Sequence, residues 1–210
     1  MIYRRYIKRL LDITLSLIAL IIFMPVIIIL AVLIKLKLGD PVIFKQRRPG
    51  KGEKIFTMYK FRTMTDGRDK NGGLLPDEIR LTKFGKFLRD MSLDELPELI
   101  NIIKGDMSII GPRPLSALYL PYYTGREKRR HDVRPGLSGL AQVNGRNLLT
   151  WEERFEFDLQ YINNITFILD CKIILKTVIK VIKHADVLLV NQATDSFHVI
   201  REKERKSKQL

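Results

Sequence analysis

Asp94 and Glu95 are adjacent carboxylates at the head of Ser92-Leu-Asp-Glu-Leu-Pro-Glu-Leu-Ile-Asn-Ile-Ile-Lys-Gly105, a stretch that reads as a helix. Ser92 and Glu95 have the Ser-x-x-Glu spacing of a capping box and Gly105 supplies a stop, so both acids fall in the first turn. A helix N-terminus carries unsatisfied N–H groups and partial positive charge, which favours an ionised carboxylate and attracts phosphate. Two acids so placed can supply a carboxylate nucleophile and a ligand for a hard cation, for which Mg²⁺ with phosphate is the natural partner. Taken alone the pair is equally a helix cap, since acids are common in first turns.

Cationic and amide side chains give the acids a context. Gly111-Pro-Arg-Pro114 fixes Arg113 between two prolines, and His131-Asp-Val-Arg-Pro-Gly136 sets Arg134 before a turn. Proline restricts its own φ and the residue before it, so both guanidinium groups start from an ordered backbone. Gly139-Leu-Ala-Gln-Val-Asn-Gly-Arg146 adds Gln142, Asn144 and Arg146, while Lys60, Arg62 and Arg89 lie upstream. Arginine matches phosphate bidentately, and Gln and Asn suit the polar edge of a base or sugar. Singly, each could equally be a surface ion pair.

The elements that must hold these residues begin with an apolar run. Ile13 to Ile34 reads ITLSLIALIIFMPVIIILAVLI, with no charge, which meets the roughly 20 residues a helix needs to cross a hydrocarbon core. It is longer than a signal-peptide core and is followed by Lys35 and Lys37 instead of a small-residue cleavage site, so it reads as a retained anchor. Arg4, Arg5, Lys8 and Arg9 precede the run and Lys35, Lys37, Lys45, Arg47 and Arg48 follow it, so the positive-inside rule assigns both ends to the cytoplasm. Pro25, in the middle, removes one helical hydrogen bond and forces a kink. A helix-break-helix that enters one leaflet and returns reconciles these features, each arm reaching about 18 Å. A kinked single span is the other solution, and composition does not choose between them.

The 210 residues hold 37 Lys+Arg against 23 Asp+Glu, a formal net charge of +14, which calls for an anionic partner: nucleic acid, an anionic membrane or a phosphorylated substrate. At 46% hydrophobic the chain is too apolar for a disordered polycation. Its single cysteine, Cys171, cannot form an internal disulfide and reads as a small buried hydrophobe.

After the anchor, residues 41–46 and 54–63 are rich in β-branched and aromatic residues around a Pro-Gly-Lys-Gly turn, a β-hairpin pattern. Residues 65–73, with three glycines, read as a surface loop and candidate lid. Residues 76–105 read as two helical pieces, 111–145 as loop, and Trp151 to Ile162 and Asp170 to Ala185 as helices. The last helix carries Lys172, Lys176, Lys180 and Lys183 on one face and aliphatic residues elsewhere, which suits either a membrane interface or a soluble core. Arg201 to Leu210, net +3, reads as a solvated tail.

Taken in order, the basic anchor with its central proline, VIFKQRRPG, YKFRTM, SLDELPELINIIKGDMS, GPRP, RPGLSGLAQVNGR and the late basic helix resemble the bacterial sugar transferase family, the monotopic polyprenyl-phosphate phosphoglycosyl transferases. The resemblance runs from about Tyr6 to Ala185 and is closest to the minimal, single-module form, like the enzyme that starts lipid-linked glycans with a UDP-N-acetylated bacillosamine-type sugar. One departure is Met24, where the family commonly has serine before the anchor proline.

The resemblance implies an α+β, mostly helical fold: a re-entrant membrane helix-break-helix over 1–38, a cytoplasmic catalytic domain over 39–190 with a small β-hairpin, catalytic helices and interfacial amphipathic helices, and a basic flexible tail over 191–210. It implies transfer of a phosphosugar from a UDP-sugar to undecaprenyl phosphate with release of UMP, at the cytoplasmic face of the bacterial inner membrane. Asp94 would be the nucleophile, Glu95 its partner, and both Mg²⁺ ligands; Lys60, Arg62, Arg89, Arg113, Arg134, Gln142, Asn144 and Arg146 would bind substrate, and Pro25 would make the membrane kink. Downstream glycosyltransferases are implied partners and nucleic acid is not. A membrane-tethered basic module without catalysis is the competing class, but it leaves the acid pair unexplained and lacks the interleaved aromatic residues of a stacking platform. Bacillosamine-type sugars, galactose, glucose and N-acetylhexosamines all remain open as the sugar.

Overall fold

A computed structural model describes residues 2–145, 148–182 and 196–207. A π-helical turn, Tyr3–Ile7, runs into α1, Lys8–Leu38, which continues through Pro25 and stops at Gly39, where φ of +82° lets the Gly39 N–H donate to the Lys35 carbonyl at 3.1 Å. By length and composition α1 could cross a membrane. Its central side chains are unpartnered, Ile21 being 71% exposed and Ile22 65%.

The two ends of α1 grip the same body. Near the N-terminus, Asp12 accepts hydrogen bonds from Ser108 Oγ at 2.8 Å and the Ile109 N–H at 3.0 Å, and Lys8 pairs with Asp170 at 2.6 Å. Arg9 donates to the carbonyls of Ile102 and Ile103. Near the C-terminus, Leu30, Ile34 and Leu38 are buried with Phe61 and Leu88.

The antiparallel hairpin forms as the sequence indicates: β1, Ile43–Pro49, pairs with β2, Ile55–Phe61, with Ile43 opposite Phe61 and Pro49 opposite Ile55. The loop after it is tied down by isolated bridges between Met64 and Leu81 and between Arg68 and Leu74. Next come α2, Asp77–Arg80, and α3, Lys83–Asp90, which Thr82 Oγ1 caps by accepting from the Gly85 N–H at 3.0 Å. Gly85 is required by packing, because a Cβ there would stand 1.7 Å from the Thr63 carbonyl oxygen.

The segment read as one capped helix from Ser92 to Gly105 is divided. Ser92 is left-handed at φ +54° and makes no side-chain cap, so the capping box does not form. Leu93–Glu95 is a 3₁₀ turn, and α4, Glu98–Lys104, starts after Pro97. Pro97 has no N–H to continue an α-helical ladder from the first turn, which accounts for the division.

The stretch 111–145, read as loop, contributes one strand of a small parallel sheet: β3, Ser108–Ile110, just before it, pairs with β4, Gly136–Ser138, inside it. Strands this short carry no readable alternation. Between them lies α5, Gly125–Lys128, and after them α6, Leu140–Asn144, α7, Trp151–Asn163, and α8, Phe167–Ile182. Ile110, Val143, Leu159, Tyr161, Ile162 and Ile173 form the core these elements share. On α8, Phe167, Ile168, Leu175, Val178 and Ile179 are exposed, and so is Cys171, which is therefore not a core residue. Lys183 and Ala185 lie outside the described residues.

The tail is helical over its described part, and Glu202, Lys203, Arg205, Lys206 and Ser207 are exposed, as a solvated segment would be. Phe197–Ser207 forms α9, and Phe197 is buried against Tyr123, Trp151 and Phe155. Arg201 pairs with Glu127 at 2.5 Å and with Glu204 at 2.9 Å. The run of charges beyond Phe197 masks an apolar anchor that needs an aromatic pocket assembled from two other segments, the one ending at Tyr123 and α7.

Candidate active site

The hairpin supplies one wall of a polar cavity of about 670 Å³. Alternation along the strands puts Phe44, Gln46 and Arg48 on one face, with Met58 opposite Gln46 and Lys60 opposite Phe44, and all five line the cavity. The facing wall is the 3₁₀ turn and α4, with Asp94, Glu95 and Glu98, closed by Arg89 and Arg113.

Lys60 and Arg113 converge on Glu95: Lys60 Nζ and Arg113 Nη2 each lie 2.8 Å from Glu95 Oε1. Lys60 also pairs with Glu98 at 3.0 Å. Burial by itself would raise the Glu95 pKa, but Arg113 and Lys60 outweigh it and hold the carboxyl down at about 2. The same ion pair stabilises the charged form of Arg113.

Asp94 is buried, 9% exposed, and makes no hydrogen bond or ion pair with another side chain among the described residues. Burial first, and the Glu95 charge second, push its pKa up to about 6. Glu98 is pushed up to about 7 for the same two reasons. Two neighbouring carboxylates with opposite displacements is the pattern of a site that divides roles between its acids. Near neutral pH Asp94 is an anion whose charge no direct partner has consumed, and that is what a nucleophile or a cation ligand requires.

The remaining candidates separate by place. Arg62 lines the cavity but is engaged, donating from Nε to the Met64 carbonyl at 2.8 Å and from Nη1 to the Asp40 carbonyl, and pairing with Asp66 at 2.7 Å. Arg89 lines it with Nε donating to Thr63 Oγ1 at 3.0 Å. Arg134 does not reach the cavity: its Nε donates to the Gly105 carbonyl at 2.8 Å, which caps the end of α4. Asn144 is turned to the Leu140 carbonyl, also outside the cavity. Gln142 lines a different, apolar cavity and donates to the Leu137 carbonyl at 3.0 Å. Arg146 lies outside the described residues.

Two residues were not singled out in the sequence. Glu98 follows Asp94 by four positions and Glu95 by three, the spacing of one helical face, and that was the available signal. Arg48 shares a strand face with Gln46, whose Oε1 accepts from Arg48 Nη2 at 2.8 Å. Burial and the nearby Arg113 charge lower the Arg48 pKa, and both guanidinium groups line the cavity.

No group of three His, Cys, Asp or Glu forms a metal cage among the described residues. Mg²⁺ bound together with phosphate needs only one or two protein carboxylates. The Asp94 oxygens, hard donors with no direct cationic partner, fit that role.

Residues 3–184 match the bacterial sugar transferase family. The chain is 51% identical over 187 residues to a Bacillus subtilis protein named as the uncharacterized sugar transferase EpsL, covering 89% of this chain and 93% of that one. It is 42% identical over 183 residues to a Klebsiella pneumoniae UDP-glucose:undecaprenyl-phosphate glucose-1-phosphate transferase, covering 82% of this chain and 39% of the relative. It is 40% identical over 185 residues to an Aeromonas hydrophila UDP-N-acetylgalactosamine-undecaprenyl-phosphate N-acetylgalactosaminephosphotransferase, covering 82% and 43%. The chain thus spans nearly all of the first relative and under half of the other two. With a match over most of its length, the chain belongs to the bacterial sugar transferase family.

Proposed function

We propose that this protein transfers a phosphosugar from a UDP-sugar to undecaprenyl phosphate and releases UMP, by way of a phosphosugar-aspartyl intermediate on Asp94. The observation that carries the reading is the buried, directly unpaired Asp94 beside a Glu95 held ionised by Lys60 and Arg113, in a cavity large enough for a small organic ligand. Two relatives named as undecaprenyl-phosphate sugar-phosphate transferases support the same chemistry.

In the first step an Asp94 oxygen attacks the β-phosphorus, a P–O bond forms, and the bond to the bridging oxygen breaks with its electron pair leaving on UMP. In the second, a phosphate oxygen of undecaprenyl phosphate attacks the same phosphorus, and the Asp94 carboxylate is released. Neither step consumes a proton overall. Arg113, Arg48 and Lys60 offset the charge spread over the phosphoryl oxygens, and Glu95 fixes two of these cations in place. Asp94, with Glu95 or Glu98 adjacent, would hold Mg²⁺, which when bound neutralises diphosphate charge.

The chain enters and leaves one leaflet through α1 and works at the cytoplasmic face of the inner membrane. Supporting this, Asp12 and Leu38, at opposite ends of α1, are both buried on one catalytic body, whereas Ile21 to Val26 at its centre expose apolar side chains. The exposed apolar side chains of α8 extend the same kind of surface, as an interfacial helix would.

The test is UMP release with Mg²⁺, undecaprenyl phosphate and a panel of UDP-sugars. Turnover should require Asp94, and mass spectrometry after incubation with the productive UDP-sugar alone should show a phosphosugar adduct that Asp94→Asn lacks. No turnover across a broad panel, or full activity in Asp94→Asn, overturns the reading. For topology, Ile2→Cys and Asp40→Cys in a Cys171→Ser background should both resist a periplasmic thiol reagent, and labelling of one end alone excludes the re-entrant path.

A further inference from the structure

The polar cavity shares Glu95 and Arg113 with a second cavity of about 510 Å³ whose walls are chiefly aliphatic. One wall is a stripe of α1 at helical spacing, Leu15, Ala19 and Phe23; the opposite wall is a stripe of α8, Ile174 and Val178; Leu99 of α4 lies between them. The small side chain of Ala19 leaves room between the two helices. The rim is exposed at Leu15, Phe23 and Val178, where the cavity meets the unpartnered apolar surfaces of α1 and α8.

We infer that this groove holds the isoprenoid chain of the acceptor, its first units lying between α1 and α8 and its phosphate at the Glu95–Arg113 end. The inference rests on the transferase reading above and names where the second substrate binds. A groove apolar along its walls, with Arg113 and Lys180 beside Glu95 and Asp90 in its charged lining, suits an amphiphile whose chain lies along the walls and whose head sits at the polar end. Its volume falls in the roughly 300–1,000 Å³ range of small-ligand sites, so it accommodates several isoprene units and leaves the rest of a long chain in the bilayer. Because the rim is continuous with the exposed α1 surface, the chain can slide in sideways without leaving an apolar environment.

The sharing of Glu95 and Arg113 gives the arrangement a mechanistic consequence. The donor occupies the polar cavity, the acceptor approaches from the groove, and the two meet at the one ion pair both cavities contain.

The full-length protein in nanodiscs, irradiated with a farnesyl phosphate analogue carrying a diazirine on its chain, should be labelled within residues 15–23 and 174–181. Excess undecaprenyl phosphate should remove the label and equimolar phosphatidic acid should not. Labelling elsewhere overturns the inference, and equal competition by phosphatidic acid assigns the groove to ordinary acyl chains instead. Because labelling needs no turnover, it answers separately from UMP release, whose failure would count against the transferase reading itself. Kinetically, Leu15→Trp and Val178→Trp, both at exposed rim positions, should raise KM for undecaprenyl phosphate about tenfold or more with KM for the UDP-sugar unmoved. Ile21→Trp, on the outward face of the same helix, should behave as wild type. Wild-type acceptor kinetics in both rim variants would overturn the assignment.

Discussion

Arg113 and Glu95 form an ion pair at 2.8 Å that belongs to both cavities of this protein, so one contact joins the polar donor site to the apolar groove. Its acid partner is also held by Lys60, and its neighbour Asp94 is left without a direct cation. The acid that is clamped is thereby distinguished from the acid that is available.

Glu95→Gln should lower turnover by about 100-fold, the scale of losing one positioned polar group in an active site. Its pH dependence should change as well. The Glu95 charge raises the Asp94 pKa, so removing it lets Asp94 ionise at lower pH and moves the acid limb of kcat/KM below that of the wild type. A residual activity with an unmoved or raised limb would contradict the coupling.

In the wild type that limb should lie near pH 6, because Asp94 attacks only as an anion and its carboxyl is pushed up to about 6. Below it, kcat/KM should fall about tenfold per pH unit. A pH profile of initial rates with the UDP-sugar well below its KM and undecaprenyl phosphate in detergent measures it, and a limb near pH 4 would mean that Asp94 is not desolvated when it reacts.

Glu98→Gln separates charge from shape. The folded-state pKa of Glu98, about 7, lies above the ordinary value of 4.5, so the folded form holds this proton more tightly than the unfolded chain. Its ionisation therefore costs stability as pH rises from about 5 to about 8. The variant should match the wild type in thermal midpoint at pH 5 and exceed it at pH 8, with each kcal/mol appearing as roughly 2–4 °C. Equal midpoints at both pH values would show that Lys60 fully compensates the charge.

Phe197→Ala removes the residue that seats α9 in the aromatic cluster of Tyr123, Trp151 and Phe155. Emptying such a site costs about 3–5 kcal/mol. Circular dichroism in detergent should show a midpoint lowered by on the order of 10 °C. An unchanged midpoint would mean that α9 contributes nothing to the fold.

Asp12→Ala should leave the Ile109 N–H without its acceptor and the Ser108 hydroxyl with the Ile110 carbonyl alone, at about 1–3 kcal/mol. Hydrogen exchange at the Ile109 amide is the specific readout, and it should accelerate in the variant. Protection equal to wild type would show that this end of α1 is not latched to β3.

The sequence by itself determined the features that are local. The adjacency of Asp94 and Glu95, the uncharged run from Ile13 to Ile34 and the alternation of the hairpin strands are all written within short windows, and periodicity and charge suffice to read them. The order of its motifs along most of the chain was enough to indicate the family. Tertiary structure decided what depends on distant partners. Lys60 finds Glu95 across 35 positions and Ser108 finds Asp12 across 96, and no window of sequence holds both members of either pair. The same is true of which arginines face the cavity. Arg113 and Arg48 do, whereas Arg134, also followed by a proline, ends as a cap on α4. Residue type made each of them a candidate for phosphate, but burial and the nearest carbonyl or carboxylate assigned the role, and both are properties of the folded chain.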